Sequence, residues 1–225
     1  MARRQDRASR GRASRGGTLR AAAVAALLAP GAALAHPHVF IDGGVDFLFD
    51  PQGRLSELRV TWVYDAISSH TMLEDLGIDA GKALTADEET RLAAYQTEWV
   101  EGFAGDSYLS SDGRPVGLGG PEAAEAEVQP DGRAVIRFNR RVAQPFRPRH
   151  AVVEVYDPTY FTGYAVTDAP RIEGPAEGCA AEVEPFKPTE RLVALQLSLA
   201  EIGVDEDPKD DVGALFADKV RLECR

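Results

Sequence analysis

The chain has 225 residues, and its 36 Asp and Glu outnumber its 25 Lys and Arg to give a formal net charge of −11 at pH 7. An acidic protein of this kind repels nucleic acid and anionic lipid and attracts cations, which argues against nucleic acid as a partner. The length and the hydrophobic content of 44% suit one globular domain with a substantial core.

The first 35 residues contain the three parts of a signal peptide in order. Seven Arg in residues 1–20 form a charged start, residues 21–30 are the apolar run AAAVAALLAP, and Ala33-Leu34-Ala35 is a small-residue cleavage site. The apolar run is too short to span a bilayer. The pair Arg3-Arg4 alone does not establish twin-arginine export, so the export route is left open.

Cleavage after residue 35 predicts a periplasmic protein that begins at His36 and has no membrane span. It removes seven of the 25 basic and one of the 36 acidic side chains, leaving 18 and 35, a formal charge of −17. Residues 36–225 are then expected to form a single domain.

The mature chain opens with a predicted β-hairpin. Residues 38–50 alternate imperfectly between apolar and polar, and residues 55–64 place Leu58, Val60 and Trp62 on one side of an extended run. The turn-forming sequence Asp50-Pro51-Gln52-Gly53 between them favours antiparallel pairing. A terminus held in a sheet would keep its first residues in place.

Three helices and further strands follow. Residues 66–76 predict a short helix, and residues 189–202 predict another. Between them, Thr85 and Glu88 form a capping box that begins a longer helix. This helix is predicted to carry Leu92, Tyr95, Trp99 and Phe103 and to end at Gly102 and Gly105. Strands are predicted at residues 107–110, 134–138, 151–156 and 219–224, with turns at Asp112-Gly113 and Asp131-Gly132. The expected fold class is α+β, a predominantly antiparallel sheet or sandwich-like domain with two or three helices.

The chain has two cysteines, Cys179 and Cys224. In an oxidising exported compartment an isolated pair most simply forms one disulfide. Redox or metal chemistry would need a closer spacing such as Cys-x-x-Cys.

Two of the four histidines, His36 and His38, lie at the predicted mature terminus. Imidazole is the commonest transition-metal ligand. Pro37 has no amide hydrogen, which excludes the square-planar amino-terminal copper and nickel site. The remaining possibility is a chelate by the amine and imidazole of His36 with His38 as a third ligand, since residues two apart in a strand face the same way. The alternative is that both are ordinary surface residues.

Other candidate ligands are less specific. Asp42, Asp46 and Asp65 lie near the same hairpin and could complete a site or orient an imidazole. His70 and His150 have the surroundings of surface groups. The common catalytic motifs are absent from the sequence, and no enzyme activity is assigned.

Six segments carry a resemblance to a known family. They are HPHVFID at residues 36–42, LxxLRVTWVYD at 55–65, MLEDL at 72–76, VYDPTYF at 155–161, and the C-terminal Gly178-Cys179 and GALF at 213–216. With these the mature chain resembles DUF1007, a family of exported bacterial proteins. The resemblance implies a periplasmic component of an uncharacterised ABC-type transport system, with a membrane transporter of transition metals as partner.

The family resemblance also raises two candidate site segments. An EF-hand-like loop would lie at residues 77–88, but Asp79 is its only upstream acidic residue, so Thr85 and Glu88 are interpreted as a helix cap. In the segment YDPTYF, Asp157 either forms an Asp-Pro turn whose aromatics pack the core, or approaches the amino terminus with Tyr160 and completes a metal site.

The sequence therefore predicts a periplasmic accessory or substrate-binding component of a metal transport system. A divalent transition metal (nickel, cobalt, zinc or copper) would bind to His36 and His38, with Asp157 and Asp42 as further candidate ligands. The alternative is a non-catalytic envelope module that binds another protein without metal. A third possibility, a copper oxygenase of the histidine-brace kind, needs His70 or His150 at the same metal.

Overall fold

Two β-sheets with three α-helices make up the part of the chain that the computed structural model describes, residues 37–202, 208 and 211–225. The predicted signal peptide and His36 lie outside these residues. None of the helices described is long and apolar enough to cross a membrane.

The strands and helices follow one another in this order. They are β1 (Val39–Phe49), β2 (Leu55–Tyr64), α1 (Ala66–Asp75), α2 (Ala86–Thr97), β3 (Ser107–Ser111), β4 (Arg114–Val116), β5 (Leu118–Val128), β6 (Ala134–Phe146), β7 (His150–Val155), β8 (Thr162–Val166), β9 (Ile172–Glu173), β10 (Cys179–Glu184), α3 (Glu190–Leu199), a 3-10 helix (Gly213–Phe216) and β11 (Asp218–Cys224).

The strands form a large and a small sheet. The large sheet has the order β5-β6-β2-β1-β8, with β9 also paired to β1, and the small sheet has the order β10-β11-β7-β3-β4. All pairs are antiparallel except β1 with β8 and β1 with β9, which are parallel. This arrangement confirms the expected α+β, sandwich-like fold class.

The core lies on one face of the large sheet, which is covered by two different layers. Toward one end of this face, Trp62 and Phe138 pack with Met72 and Leu73 of α1 and Leu92 of α2. Toward the other end, the small sheet covers it. That second cluster contains Val45, Phe47, Leu58 and Val142 from the large sheet and Leu109, Val153, Val220 and Leu222 from the small sheet. The predicted inward side of β2 is confirmed, since Leu58, Val60 and Trp62 are all buried.

The predicted turns have the local geometry that their residues favour. Asp112 and Gly113 have φ of 47° and 75°, the two positive values that a tight hairpin turn requires, and they join the paired strands β3 and β4. The chain after Asp131-Gly132 returns antiparallel, so that β5 pairs with β6.

One sequence expectation needs correction, and strand β5 is an addition to the predicted elements. The α2 helix ends at Thr97, so Trp99 and Phe103 lie in the following loop instead of on the helix. Trp99 turns back to donate from Nε1 to the helix-end carbonyl of Gln96 at 3.0 Å, and its ring packs on Phe138. Strand β5 was not predicted because Gly119, Gly120 and Pro121 are poor strand formers. This segment is a strand because it pairs with the distant strand β6.

The predicted disulfide is present between Cys179 and Cys224, residues that face each other across β10 and β11. Strand β10 is the edge strand of the small sheet and pairs with β11. The cross-link therefore ties the C-terminal strand to the sheet edge beside it.

We expect the double variant Cys179→Ser/Cys224→Ser to unfold more readily than the wild type. A cross-link over 45 residues stabilises the native state by about 4 kcal/mol through the entropy of the unfolded chain. Urea denaturation gives the difference in unfolding free energy, and reduced wild-type protein should match the double variant. An unchanged midpoint would show that the strand pairing alone holds β10.

Candidate functional site

The first described residues pack directly on the segment YDPTYF and on Gly163 of β8. The backbone N–H of His38 donates to the carbonyl oxygen of Phe161 at 2.8 Å, and the two rings lie 4.8 Å apart between centroids. Pro37 lies against Gly163, where an added Cβ would come within 2.9 Å of the proline Cγ. Two of the segments that carry the family resemblance, HPHVFID and VYDPTYF, are therefore neighbours in space.

Asp157 organises the turn of this segment. Its Oδ1 accepts from the Thr159 N–H at 2.8 Å and from the Thr159 hydroxyl at 2.9 Å, and its Oδ2 accepts from the Thr162 N–H at 2.8 Å. Thr162 is paired with Val39 at the start of β1, so the turn is close to the candidate metal site. The role of Asp157 as a metal ligand stays a prediction. To bind a metal, its carboxylate would have to share or give up the hydrogen bonds that shape the turn.

Tyr160 is directed away from this contact into a separate cluster. Its backbone has a left-handed φ of 58°, which is uncommon for a residue with a side chain. The ring stacks on Phe216 with centroids 4.3 Å apart, and the hydroxyl accepts from Gln196 Nε2 at 2.9 Å. The left-handed turn thus sends Tyr160 into the core and leaves Phe161 beside His38.

Asp42 forms an ion pair with Arg133, whose Nη1 lies 3.0 Å from its Oδ2. It lies four residues after His38, and four residues of extended chain correspond to about 13 Å. Asp42 could therefore share an ion with His38 only if the start of the strand departed from this path. Its role as a ligand stays a prediction.

The other nearby carboxylates have structural contacts. Asp46 is buried and pairs with Arg171 at 3.1 Å. Asp65 caps α1 by accepting from the backbone of Ile67 and Ser68. Partial burial raises the pKa of Asp65, but its hydrogen bonds, including one from the backbone N–H of Phe40, outweigh burial and hold the pKa below its ordinary value.

The remaining predicted ligand groups do not converge. His70 is exposed on α1, with Nε2 3.8 Å from Glu74, and His150 is exposed at the start of β7. Within the described ranges no group of three or more His, Cys, Asp or Glu is arranged to hold a metal ion. His36, outside those ranges, is not part of that statement.

The helix-cap interpretation of the EF-hand-like segment is confirmed. The Thr85 side chain accepts from the Glu88 N–H, and the Glu88 carboxylate accepts from the Thr85 N–H at 2.8 Å. Asp79 pairs with Lys82 at 2.7 Å. The Glu88 carboxylate is thus engaged at the start of α2 instead of closing a calcium loop.

A second polar cluster, which the sequence did not predict, lies inside the fold. Asp106 is only 5% exposed and accepts a hydrogen bond from the Tyr164 hydroxyl at 2.7 Å through Oδ2. Its Oδ1 is buried without a hydrogen-bond partner among the described residues. Burial raises the pKa of Asp106 to about 7, even though the Tyr164 hydrogen bond acts to lower it.

Arg140 belongs to the same region. It is 4% exposed and lies between Phe138 and Val142, which belong to the two halves of the core. The alternation of β6 was the signal that could have revealed it, since residues two apart share a face and Phe138 and Val142 point inward. A cation at an inward position of a strand marks either a structural network or a binding site.

Comparison with known proteins gives one family. A family model described as "Protein of unknown function (DUF1007)" matches residues 21–224. No curated protein matches the chain.

We expect the stability of the protein to fall as the pH rises through about 7 because of Asp106. Its pKa is about 7 in the folded state and 3.8 ordinarily, so between these values the unfolded chain ionises first. The resulting loss is about 1.4 kcal/mol of unfolding free energy per pH unit. Asp106→Asn cannot ionise and should lack this loss.

Urea midpoints measured at about pH 5 and about pH 8 test this difference. The control is Asp168→Asn, which changes an exposed carboxylate and should keep the wild-type pH dependence. Parallel profiles for wild type and Asp106→Asn would contradict the prediction.

Proposed function

The chain belongs to the DUF1007 family, and we propose that it is a periplasmic accessory or substrate-binding component of a metal transport system. In this proposal His36 and His38 at the mature amino terminus bind a divalent transition metal and exchange it with a membrane metal transporter. Nickel, cobalt, zinc and copper all suit such nitrogen ligands.

The observation that supports this proposal best is the anchoring of His38. Its backbone is hydrogen-bonded to Phe161, its ring lies on the Phe161 ring, and Pro37 is packed on Gly163. A ligand held in this way loses less conformational entropy when it binds a metal. His36 directly precedes this anchored pair in the sequence.

The chemistry follows from the groups at the terminus. The α-amine and the imidazole of His36 would chelate the metal, and the imidazole of His38 would add a third nitrogen. Each nitrogen must be unprotonated to bind, so the affinity should fall as the pH is lowered. Asp157 and Asp42 would join only if they exchanged present partners for the metal.

The alternative is a non-catalytic envelope module that binds another protein without metal. It is favoured by the present engagement of the two carboxylates, since Asp42 pairs with Arg133 and Asp157 accepts hydrogen bonds from its own turn. In this alternative the packing of Pro37 and His38 serves only to start β1.

Titration calorimetry of the processed protein with nickel, cobalt, zinc and copper separates these functions. We expect saturable binding of one metal per chain, weakened more than about tenfold by His36→Ala/His38→Ala. The matched control is His70→Ala/His150→Ala, which removes two exposed histidines elsewhere and should bind like the wild type. One extra residue before His36 would convert the amine to an amide and weaken binding. Equal affinity in both double variants would rule out the terminal site.

We further expect Gly163→Val to weaken metal binding, although this substitution replaces none of the candidate metal ligands. A Cβ at this position would lie 2.9 Å from the Pro37 Cγ, so the first residues must move away from the turn. A displaced supporting contact typically costs about tenfold or more in metal affinity. The same calorimetry measures it, with Gly81→Val as a control on a distant exposed loop. Wild-type affinity in Gly163→Val would show that this contact does not position the ligands.

A further inference from the structure

A cavity of about 280 Å³ opens beside the boundary between the helix layer and the small sheet. Trp99 and Phe103, from the loop after α2, form part of its wall, together with Tyr108 of β3 and Pro115 of β4. Arg140 lines it from the large sheet. The cavity thus combines three aromatic side chains with one cationic group.

The hydrogen bonds of Arg140 leave one of its amino groups unused. Nε donates to the Gly119 carbonyl at 2.9 Å, and Nη1 donates to the carbonyls of Ala104 at 2.8 Å and Ser107 at 3.0 Å. The other amino group, Nη2, has no hydrogen-bond partner in the described part of the chain and is not sealed from solvent. A donor is therefore available in a residue that lines the cavity.

In the described part of the chain, the positive charge of Arg140 also has no carboxylate in direct contact. No Asp or Glu of the described ranges lies within 4.0 Å of its nitrogens. Asp106 interacts with it at longer range, but burial raises the pKa of that carboxyl to about 7, and its Oδ2 is bonded to Tyr164. A buried cation whose hydrogen bonds go to uncharged carbonyl and hydroxyl oxygens is costly, and an anion would relieve this cost.

The aromatic walls provide contact surface for a flat molecule. The centre of the Arg140 guanidinium lies 5.1 Å from the centroid of the Trp99 ring, so the indole covers the cation. Phe103 meets Trp99 edge to face at 5.2 Å and remains 40% exposed. An apolar body lying against Phe103 would bury surface that is now in contact with water.

We propose that this cavity binds a small organic anion with a flat apolar body, such as an aromatic carboxylate. The carboxylate accepts a hydrogen bond from Arg140 Nη2, and the ring lies against Trp99 and Phe103. The size of the cavity suits a small molecule, since pockets for drug-sized ligands have volumes of about 300–1,000 Å³. The proposal is independent of metal binding at the amino terminus.

Benzoate and benzamide are the probes that test it. They have the same shape, but only benzoate carries a negative charge, and a charge-assisted hydrogen bond should favour it about tenfold or more. Titration calorimetry should give a dissociation constant of about 1 mM or lower for benzoate. Equal affinity for the two probes, or no binding of benzoate at about 10 mM, would overturn the proposal.

Two phenylalanine variants locate the binding. Phe103→Ala removes the exposed wall and should weaken benzoate binding several-fold. Phe40→Ala makes the same change at a 53% exposed phenylalanine on β1, which does not line the cavity, and it should bind benzoate like the wild type. Equal effects of the two variants would place benzoate elsewhere and overturn the proposal.

Arg140→Met tests the cation itself. The variant should lose the preference for benzoate over benzamide, provided that circular dichroism shows a native fold. A retained preference would overturn the role of Arg140. If the variant does not fold, the comparison of the two probes and the two phenylalanine variants still decides the proposal, because Phe103 is partly exposed and its truncation leaves the core intact.

Discussion

The burial of Arg140 is the constraint on which the centre of the structure depends. The helices cover one part of the inward face of the large sheet, and the small sheet covers another. Arg140 lies between them, and its guanidinium binds carbonyl oxygens of Ala104, Ser107 and Gly119. These bonds join the loop after α2 and strand β5 to one side chain of β6.

The loop around Arg140 is shaped to pass close to Trp99. Gly105 has φ of 69°, and a Cβ there would lie 2.2 Å from the indole, so only glycine fits both the conformation and the space. The next residue, Asp106, also has a positive φ, of 48°. The same loop therefore contributes both wall residues of the cavity and a carboxyl group whose charge depends on pH.

The amino-terminal region depends on a different interaction, the parallel pairing of β1 with β8. That pairing places the first described residues against a turn more than a hundred residues later in the sequence. The turn holds Asp157 in hydrogen bonds and directs Tyr160 inward, so that Phe161 contacts His38. Metal binding at this end and anion binding at the cavity would therefore use separate parts of the molecule.

The sequence by itself determined the local features of this protein: the β1–β2 hairpin, the Thr85–Glu88 helix cap, the Asp112-Gly113 turn, the disulfide and the family. Each follows from short-range chemistry or from a distinctive pattern of residues. The tertiary structure alone decided that β5 is a strand, that Trp99 leaves the helix, and that Asp106 and Arg140 are buried near one cavity. Those outcomes depend on contacts between distant segments, whose gain in packing and hydrogen bonding exceeds the local preferences that a sequence displays.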